Sequence, residues 1–205
     1  METVKRKTGI MGGTFNPIHI GHLILAESAR ESLGLDNVIF IPSGQPYMKT
    51  GMKIADKQMR LEMTRLAIQD NPFFTLSALE VEREGNSYTY ETLETLRREE
   101  PETDFYFIAG ADSLFSMEKW RNPEIIFQNC AVLAAARNGT GSIKLNKQIA
   151  YLHKKYKARI EILPMKEFAV SSTDIRTRIQ ERKSVRYLVP DKVIAYIEKN
   201  ELYMR

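Results

Sequence analysis

The chain has little cysteine and no long hydrophobic run. Among its 205 residues Cys130 is the one cysteine, which excludes an intramolecular disulfide. Because it lies in the apolar run 130–136, we expect a buried strand residue and not a nucleophile or metal ligand. No stretch approaches the ~18 apolar residues of a membrane span, and the glycine-rich segment after the basic residues 5–7 is unlike a signal peptide. We therefore expect a cytoplasmic protein with no membrane partner.

Concentrated charge is missing as well. There are 30 Lys and Arg against 26 Asp and Glu, for a net charge of +4. Because so weak a field does not call for a nucleic acid, we expect no nucleic-acid partner. With 43% hydrophobic and 27% charged residues, the composition is that of an ordinary globular protein and excludes collagen-like and disordered classes. The length fits a single domain, residues 1–205.

Short apolar runs alternate with amphipathic stretches along the chain. The runs predict strands at 8–11, 37–41, 73–79, 104–109, 130–136 and 159–163, and the stretches between them predict helices at 20–33, 56–69, 89–99 and 143–156. This alternation indicates an α/β fold with a doubly wound, mostly parallel sheet, which binds ligands at the carboxyl ends of its strands. Two further helices, 172–182 and 190–200, predict a C-terminal helical appendage at 170–205.

The most informative segment follows the first predicted strand. It reads Gly12-Gly13-Thr14-Phe15-Asn16-Pro17-Ile18-His19-Ile20-Gly21-His22. Glycines at a strand end let a ligand approach the backbone, and the first N–H groups of the next helix attract anions. Histidines three residues apart share one face of the helix's first turn, where they can donate hydrogen bonds to phosphate oxygens. The segment therefore predicts a phosphate-binding site.

Other interpretations fit parts of this segment. A histidine near a helix start is often a cap or a surface residue, and paired glycines are often only a turn. A zinc site is a second alternative, but only His153 remains as a third imidazole and the glutamate of His-Glu-x-x-His is missing. We expect His153 to be a solvated helix residue and the chain to hold no metal site of its own.

Two motifs together resemble the nucleotidyltransferase superfamily. Residues 12–22 resemble its His-x-Gly-His signature, and Ser171-Ser172-Thr173-Asp174-Ile175-Arg176 resembles its Ser-Ser-Thr-x-Ile-Arg motif. Segments 87–93, 107–120 and 183–191 are similar to bacterial nicotinate-nucleotide adenylyltransferases, and the resemblance runs from about Gly9 to Tyr203. The chain departs from the family pattern at Tyr47-Met48, where a histidine is lost, and at Asn138, where a proline is lost.

The resemblance implies a Rossmann-like fold and transfer of AMP from ATP to nicotinate mononucleotide, which yields deamido-NAD and pyrophosphate. It implies Mg²⁺ held mainly by ATP phosphates, and leaves self-association into a homo-oligomer open. The implied catalytic residues are His19, His22, Lys49 and Arg176. The implied ATP contacts are Gly12, Gly13, Thr14, Phe15, His19, His22, Gly110, Asp112, Ser172, Thr173 and Arg176. The implied mononucleotide contacts are Lys49, Tyr88, Thr89, Asp112 and Trp120.

Each implied role has an alternative in ordinary structure. Ser172 and Thr173 are expected to cap the helix that carries Arg176, where their hydroxyls can also meet phosphate. In the family pattern Trp120 stacks on the pyridine ring, and core packing is its alternative. Asp112 would accept hydrogen bonds from ribose hydroxyls, or cap a helix.

Three other functions stay open. The chain could adenylylate pantetheine phosphate or nicotinamide mononucleotide, although pantetheine enzymes are usually shorter. It could be a non-catalytic nucleotide-binding module on the same fold. It could be a basic RNA-binding domain, although no concentrated Lys/Arg face supports this.

Overall fold

The computed structural model describes residues 5–47, 53–137, 143–165 and 169–204. Within these ranges a short 3-10 helix, Met117–Lys119, lies between the fifth and sixth α-helices. The other elements, in chain order, are β1 Lys7–Gly13, α1 Ile20–Leu33, β2 Asn37–Pro42, β3 Gln45–Pro46, α2 Lys57–Ile68, β4 Phe74–Leu76, α3 Leu79–Glu82, β5 Asn86–Ser87, α4 Thr89–Glu99, β6 Asp104–Gly110, α5 Ala111–Leu114, α6 Pro123–Asn129, β7 Ala131–Arg137, α7 Ile143–Tyr156, β8 Ile160–Met165, α8 Ser172–Gln180 and α9 Asp191–Lys199.

Six strands form one sheet in the order β4-β2-β1-β6-β7-β8. β6 is parallel to β1 and to β7, and β8 is parallel to β7. Counted along the chain the order is 3-2-1-4-5-6, the doubly wound order of a Rossmann fold, whose ligands bind where the order reverses. The expected α/β fold is confirmed. A second, two-stranded sheet pairs β3 with β5.

The chain forms two compact units. The first comprises Met1–Gly12, Leu25–Ile39 and Tyr88–Glu167, and the second comprises Gly13–Ile24, Phe40–Ser87 and Phe168–Arg205. Each unit buries its own apolar side chains, such as Phe105 and Val132 in the first and Phe40 and Met63 in the second. None of the helices in the described ranges is long and apolar enough to cross a membrane.

Most predicted elements have the expected positions, and two predictions are wrong in part. The strand expected at 73–79 is only β4, because Ser77 leaves the strand: its Oγ accepts a hydrogen bond from Leu79 N–H at 3.3 Å, where α3 begins. Cys130 is fully buried but caps α6, one residue before β7. Burial raises the pKa of its thiol to about 12, so Cys130 is chemically inert. His153 is an exposed residue of α7, as expected.

Candidate active site

The loop that follows β1 is shaped by Phe15. This buried residue has a φ of 47°, in the left-handed region. A Cβ on Gly13 would lie 2.9 Å from the Phe15 ring, so a larger residue at Gly13 would displace the ring. Gly13 O accepts a hydrogen bond from Ser43 N–H at 2.9 Å. The loop is therefore fixed from both sides, by the Phe15 ring and by the segment after β2.

His19 and His22 stack against each other at the start of α1. Their ring centroids are 3.6 Å apart and their planes differ by 25°, so the two rings lie together as predicted, although His19 lies one residue before α1 and not in its first turn. The His19 backbone N–H donates to His22 Nδ1 at 3.2 Å. Because Nδ1 accepts this bond, the proton of the neutral His22 ring is on Nε2. Nε2 is therefore the atom of His22 that can donate to a phosphate oxygen.

The His19 ring is held neutral by burial. The residue is 7% exposed, and desolvation lowers the pKa of His19 to about 4. Its Nδ1 has no hydrogen-bond partner among the described residues. A Cβ on Gly21 would lie 3.1 Å from that nitrogen, so the glycine keeps the space beside the ring open. At neutral pH His19 is a hydrogen-bonding group and not a fixed cation.

Asn16 joins the same loop to two distant segments of the second unit. Its Oδ1 accepts hydrogen bonds from Ala55 N–H at 3.0 Å and from the Tyr203 hydroxyl at 2.9 Å. Its Nδ2 donates to Lys53 O at 3.3 Å. Burial raises the pKa of Tyr203, which therefore keeps its proton and remains a donor. Nothing in the motif pattern points to Tyr203, because its partner lies 187 residues away.

Arg176 reaches the loop from α8. Its Nη1 donates to Asn16 O at 2.9 Å, and its Nη2 donates to Thr173 Oγ1 at 3.2 Å. A guanidinium has five N–H groups. Among the described residues these two bonds engage two of them, so the rest of the fork can still receive a phosphate.

The expectation that Ser172 and Thr173 cap α8 is wrong. The cap is Ser171, whose Oγ accepts a hydrogen bond from Asp174 N–H at 3.1 Å. Ser172 and Thr173 lie in the first turn, one and two residues after the cap. The Ser172 hydroxyl donates to Pro17 O at 2.8 Å, so it anchors α8 to the loop after β1.

A fully buried arginine, Arg60, donates hydrogen bonds to backbone carbonyls of this region. Arg60 Nε donates to Ala55 O at 3.0 Å, and Nη1 donates to Thr14 O at 2.8 Å and Ser43 O at 2.6 Å. Nη2 donates to Gly44 O at 2.7 Å. Desolvation lowers the pKa of Arg60, but a guanidinium stays charged at neutral pH. One buried cation therefore fixes carbonyls of three separate loops.

In the first unit, Gly12 and Gly110 lie near the carboxyl ends of the paired strands β1 and β6. A Cβ on Gly110 would meet no atom within 4 Å, so the backbone there borders open space. Gly110 also occupies the cap position of α5, and Asp112 is exposed in the first turn. Asp112 therefore is not the cap of this helix.

Trp120 follows the 3-10 helix in the same unit. Its half-buried ring meets the Phe107 ring edge-on, with centroids 6.0 Å apart. Its Nε1 is buried without a partner among the described residues.

The start of α4 lies in the same unit. Thr89 is its first residue, and the side chain of the preceding Tyr88 does not cap the first amides of the helix. The Arg121 guanidinium lies 5.1 Å above the Tyr88 ring centroid.

Three residues singled out in the sequence fall outside the part of the chain that the structure describes. They are Lys49, Met48 and Asn138.

Comparisons with known proteins identify the family and the fold. A sequence model of the cytidylyltransferase-like family matches residues 10–178. A "probable nicotinate-nucleotide adenylyltransferase" of Lachnoclostridium phytofermentans is 46% identical over 97% of this chain and 100% of its own length. A protein of the same name from Clostridium acetobutylicum is 43% identical, with the same coverage of both chains. The structure of Plasmodium falciparum nicotinic acid mononucleotide adenylyltransferase complexed with NaAD is similar in fold, with a TM-score of 0.79 at 18% identity over 97% of each chain. This chain therefore belongs to the nicotinate-nucleotide adenylyltransferases of the cytidylyltransferase-like family.

Proposed function

We propose that this chain transfers AMP from ATP to nicotinate mononucleotide and so forms deamido-NAD and pyrophosphate in NAD biosynthesis. The carrying observation is the stacked pair His19 and His22 at the start of α1, beside the loop whose Asn16 carbonyl holds Arg176. This arrangement places imidazole and guanidinium N–H donors around one loop, and donors of this kind are what a polyphosphate requires. The full-length similarity to proteins named for this reaction supports the same substrate pair.

The reaction needs no general base from the protein. A phosphate oxygen of the mononucleotide attacks the α-phosphorus of ATP in line, and the bond from that phosphorus to the bridging oxygen of pyrophosphate breaks. Because the attacking phosphate is already ionised at neutral pH, the catalytic work is positioning and charge stabilisation. His22 Nε2–H and neutral His19 donate to phosphate oxygens as their charge develops, and Arg176 holds the leaving pyrophosphate. For Lys49 we propose a second cation at the reacting phosphates.

Nucleotidyltransferases of this family generally use a divalent metal with ATP, and we propose Mg²⁺ here. No three His, Cys, Asp or Glu side chains are grouped to hold a metal ion within the described ranges. The N–H groups of His19, His22 and Arg176 are suited to phosphate oxygens, whereas Mg²⁺ prefers oxygen ligands, which these side chains do not offer. The ion would therefore be held by ATP phosphates and water, and would neutralise phosphate charge when bound.

Apart from Lys49, the groups proposed for the mononucleotide belong to the first unit. Trp120 offers an aromatic face for the pyridine ring, and the uncapped amides at Thr89 face an anion such as the nicotinate carboxylate. The neutral amide of nicotinamide would place an NH₂ group against those donors, which costs affinity. Tyr88 borders this site and Asp112 accepts from ribose hydroxyls. Gly12, Gly13, Thr14, Phe15, Gly110, Ser172 and Thr173 complete the proposed ATP contacts.

A substrate panel tests this proposal directly. The purified chain is given ATP with nicotinate mononucleotide, nicotinamide mononucleotide or pantetheine 4′-phosphate, and pyrophosphate release is followed with and without Mg²⁺. We expect the highest kcat/KM with the nicotinate substrate, and a kcat lower by on the order of 10²–10³ in His22→Ala at the same protein concentration. Faster turnover of either other acceptor would reassign the substrate, and no turnover with any would favour a non-catalytic nucleotide-binding module.

We also propose that the chain is a single domain with a helical appendage at 170–205. We propose that it acts without a nucleic acid, and self-association into a homo-oligomer stays open.

A further inference from the structure

Glu118, two residues before Trp120, is the centre of a polar cluster in the first unit. Its Oε1 accepts hydrogen bonds from Lys155 Nζ at 2.8 Å, Tyr151 OH at 3.0 Å and Tyr156 OH at 3.2 Å. Lys155 Nζ also lies 5.0 Å from the Tyr156 ring centroid. The donors all come from the last turns of α7, so one carboxylate binds the 3-10 helix to that helix. We call these four residues the Glu118 cluster.

The cluster holds a segment that has little regular structure of its own. The 3-10 helix has three residues, and its last turn closes through Trp120 N–H to Met117 O at 3.1 Å. Trp120 itself is in an extended conformation, so the direction of its ring depends on where that short turn is held. A second bond from α7, Gln148 Nε2 to Leu114 O at 3.1 Å, fixes the preceding turn.

The charge of the Glu118 carboxylate and its three donors hold the cluster in one arrangement. Hydrogen bonds from Lys155 and the two hydroxyls lower the pKa of Glu118, so the carboxylate is ionised at neutral pH. Its side chain is 27% exposed, against 49% for Lys155. An isolated surface pair of this kind contributes little, but three donors on one carboxylate restrict its position more than one ion pair does.

We propose that Glu118 is a positioning residue that sets the orientation of Trp120 for the pyridine ring of the mononucleotide. This rests on the proposed function, in which Trp120 stacks on that ring. Glu118 does not touch the substrate in this proposal. It acts through the 3-10 turn, so its loss should weaken mononucleotide binding and leave the ATP end of the reaction alone.

The first measurement separates the two substrates. In Glu118→Ala we expect the KM for nicotinate mononucleotide to rise roughly three- to tenfold, with kcat and the KM for ATP within about twofold of wild type. Glu118→Gln keeps an oxygen acceptor for both hydroxyls and should recover most of the loss. Glu62→Ala is the matched control, since Glu62 is a similarly exposed carboxylate paired with Arg65 at 2.7 Å on α2. We expect all its constants to match wild type.

The second measurement needs no substrate. Trp120 is the sole tryptophan, so its fluorescence reports the position of this ring alone. We expect acrylamide to quench Trp120 about 1.5-fold or more efficiently in Glu118→Ala than in wild type or Glu62→Ala. If Glu118→Ala melts well below wild type, Lys155→Ala replaces it in both measurements, because this change removes the shortest hydrogen bond to Glu118, and the same direction of change is expected.

Failure of this proposal and failure of the proposed function give different patterns. Unchanged quenching and unchanged KM in Glu118→Ala, with a raised mononucleotide KM in Trp120→Ala, overturn the positioning role and leave the pyridine site standing. An unchanged mononucleotide KM in Trp120→Ala removes the pyridine site, and the role of Glu118 with it. Equal rises in both KM values overturn the proposal as well, because they indicate a general loss of structure.

Discussion

Replacement of Arg60 by methionine should be among the most damaging single changes that α2 can suffer. Methionine matches the length of the arginine stem but donates no hydrogen bond, so the carbonyls of Ala55, Thr14, Ser43 and Gly44 lose their common donor. An unsatisfied buried polar group costs about 1–3 kcal/mol. The four losses do not add in full, because burying the guanidinium is itself costly and methionine removes that cost.

The net loss for Arg60→Met should therefore be about 3–5 kcal/mol, more than one unsatisfied carbonyl costs and less than the sum of four. For a chain of this length that corresponds to a fall in Tm of roughly 10 °C. Arg60→Lys keeps the charge but has three donors on one atom, which cannot reach carbonyls on three loops. We expect it to be intermediate.

Urea denaturation followed by fluorescence measures these changes. Arg65→Met is the matched control on the same helix, because Arg65 is 49% exposed and its side chain bonds Glu62 and Gln69, both at the surface. It should change the free energy of unfolding by no more than about 1 kcal/mol. If Arg60→Met unfolds within about 1 kcal/mol of wild type at an equal m-value, then the arginine does not hold these loops and the argument from its hydrogen bonds is refuted.

The remaining predictions concern the proposed site. His22→Ala should melt like wild type and lose on the order of 10²–10³ in kcat, and turnover within threefold of wild type contradicts its role. Arg176→Lys keeps the charge but not the fork, so the KM for ATP should rise, and unchanged constants return Arg176 to a structural role. Trp120→Ala should raise the KM for nicotinate mononucleotide about tenfold or more with little effect on ATP, as steady-state kinetics can show. Finally, burial lowers the pKa of His19 from 6.5 to about 4, so the unfolded chain binds a proton between these values that the folded chain does not. Stability that is complete above about pH 6.5 is therefore lost as the pH falls toward 4, and between pH 7.5 and 5 wild type should lose about 2 kcal/mol more than His19→Asn in urea.

The regular elements were predictable because the sequence carries their apolar patterns. β6 and β7 are nearly continuous apolar runs, as expected of parallel strands with both faces covered, and α4 has the predicted bounds, Thr89–Glu99. The elements that the pattern missed are short. β3 and β5 have two residues each, which is too few to show any period. The strand at 73–79 was overextended because its apolar composition continues into α3.

The part of the site formed by residues close together in sequence was predictable. The spacing of His19 and His22 brings their rings together, so their stacking follows from the motif. Arg60 could not be found in this way. A charged residue in an amphipathic pattern is assigned to the solvent face, whereas α2 turns Arg60, Met63 and Thr64 inward. Arg60 points inward because carbonyls of distant loops accept its hydrogen bonds. The local sequence of α2 gives no sign of those partners.

The same reasoning accounts for the chemistry of the supporting residues. Direct displacement at phosphorus requires hydrogen-bond donors in fixed positions and does not require a general base. A donor stabilises the transition state only if its position is fixed. The residues that hold the backbone are therefore as necessary as the residues that touch phosphate. Arg60, which lies outside the motifs, binds four carbonyls, and the Asn16 side chain, inside the first motif, binds two distant segments. The residues proposed to meet phosphate can therefore be simple, two imidazoles and one guanidinium, because buried polar groups of the same unit hold them in place.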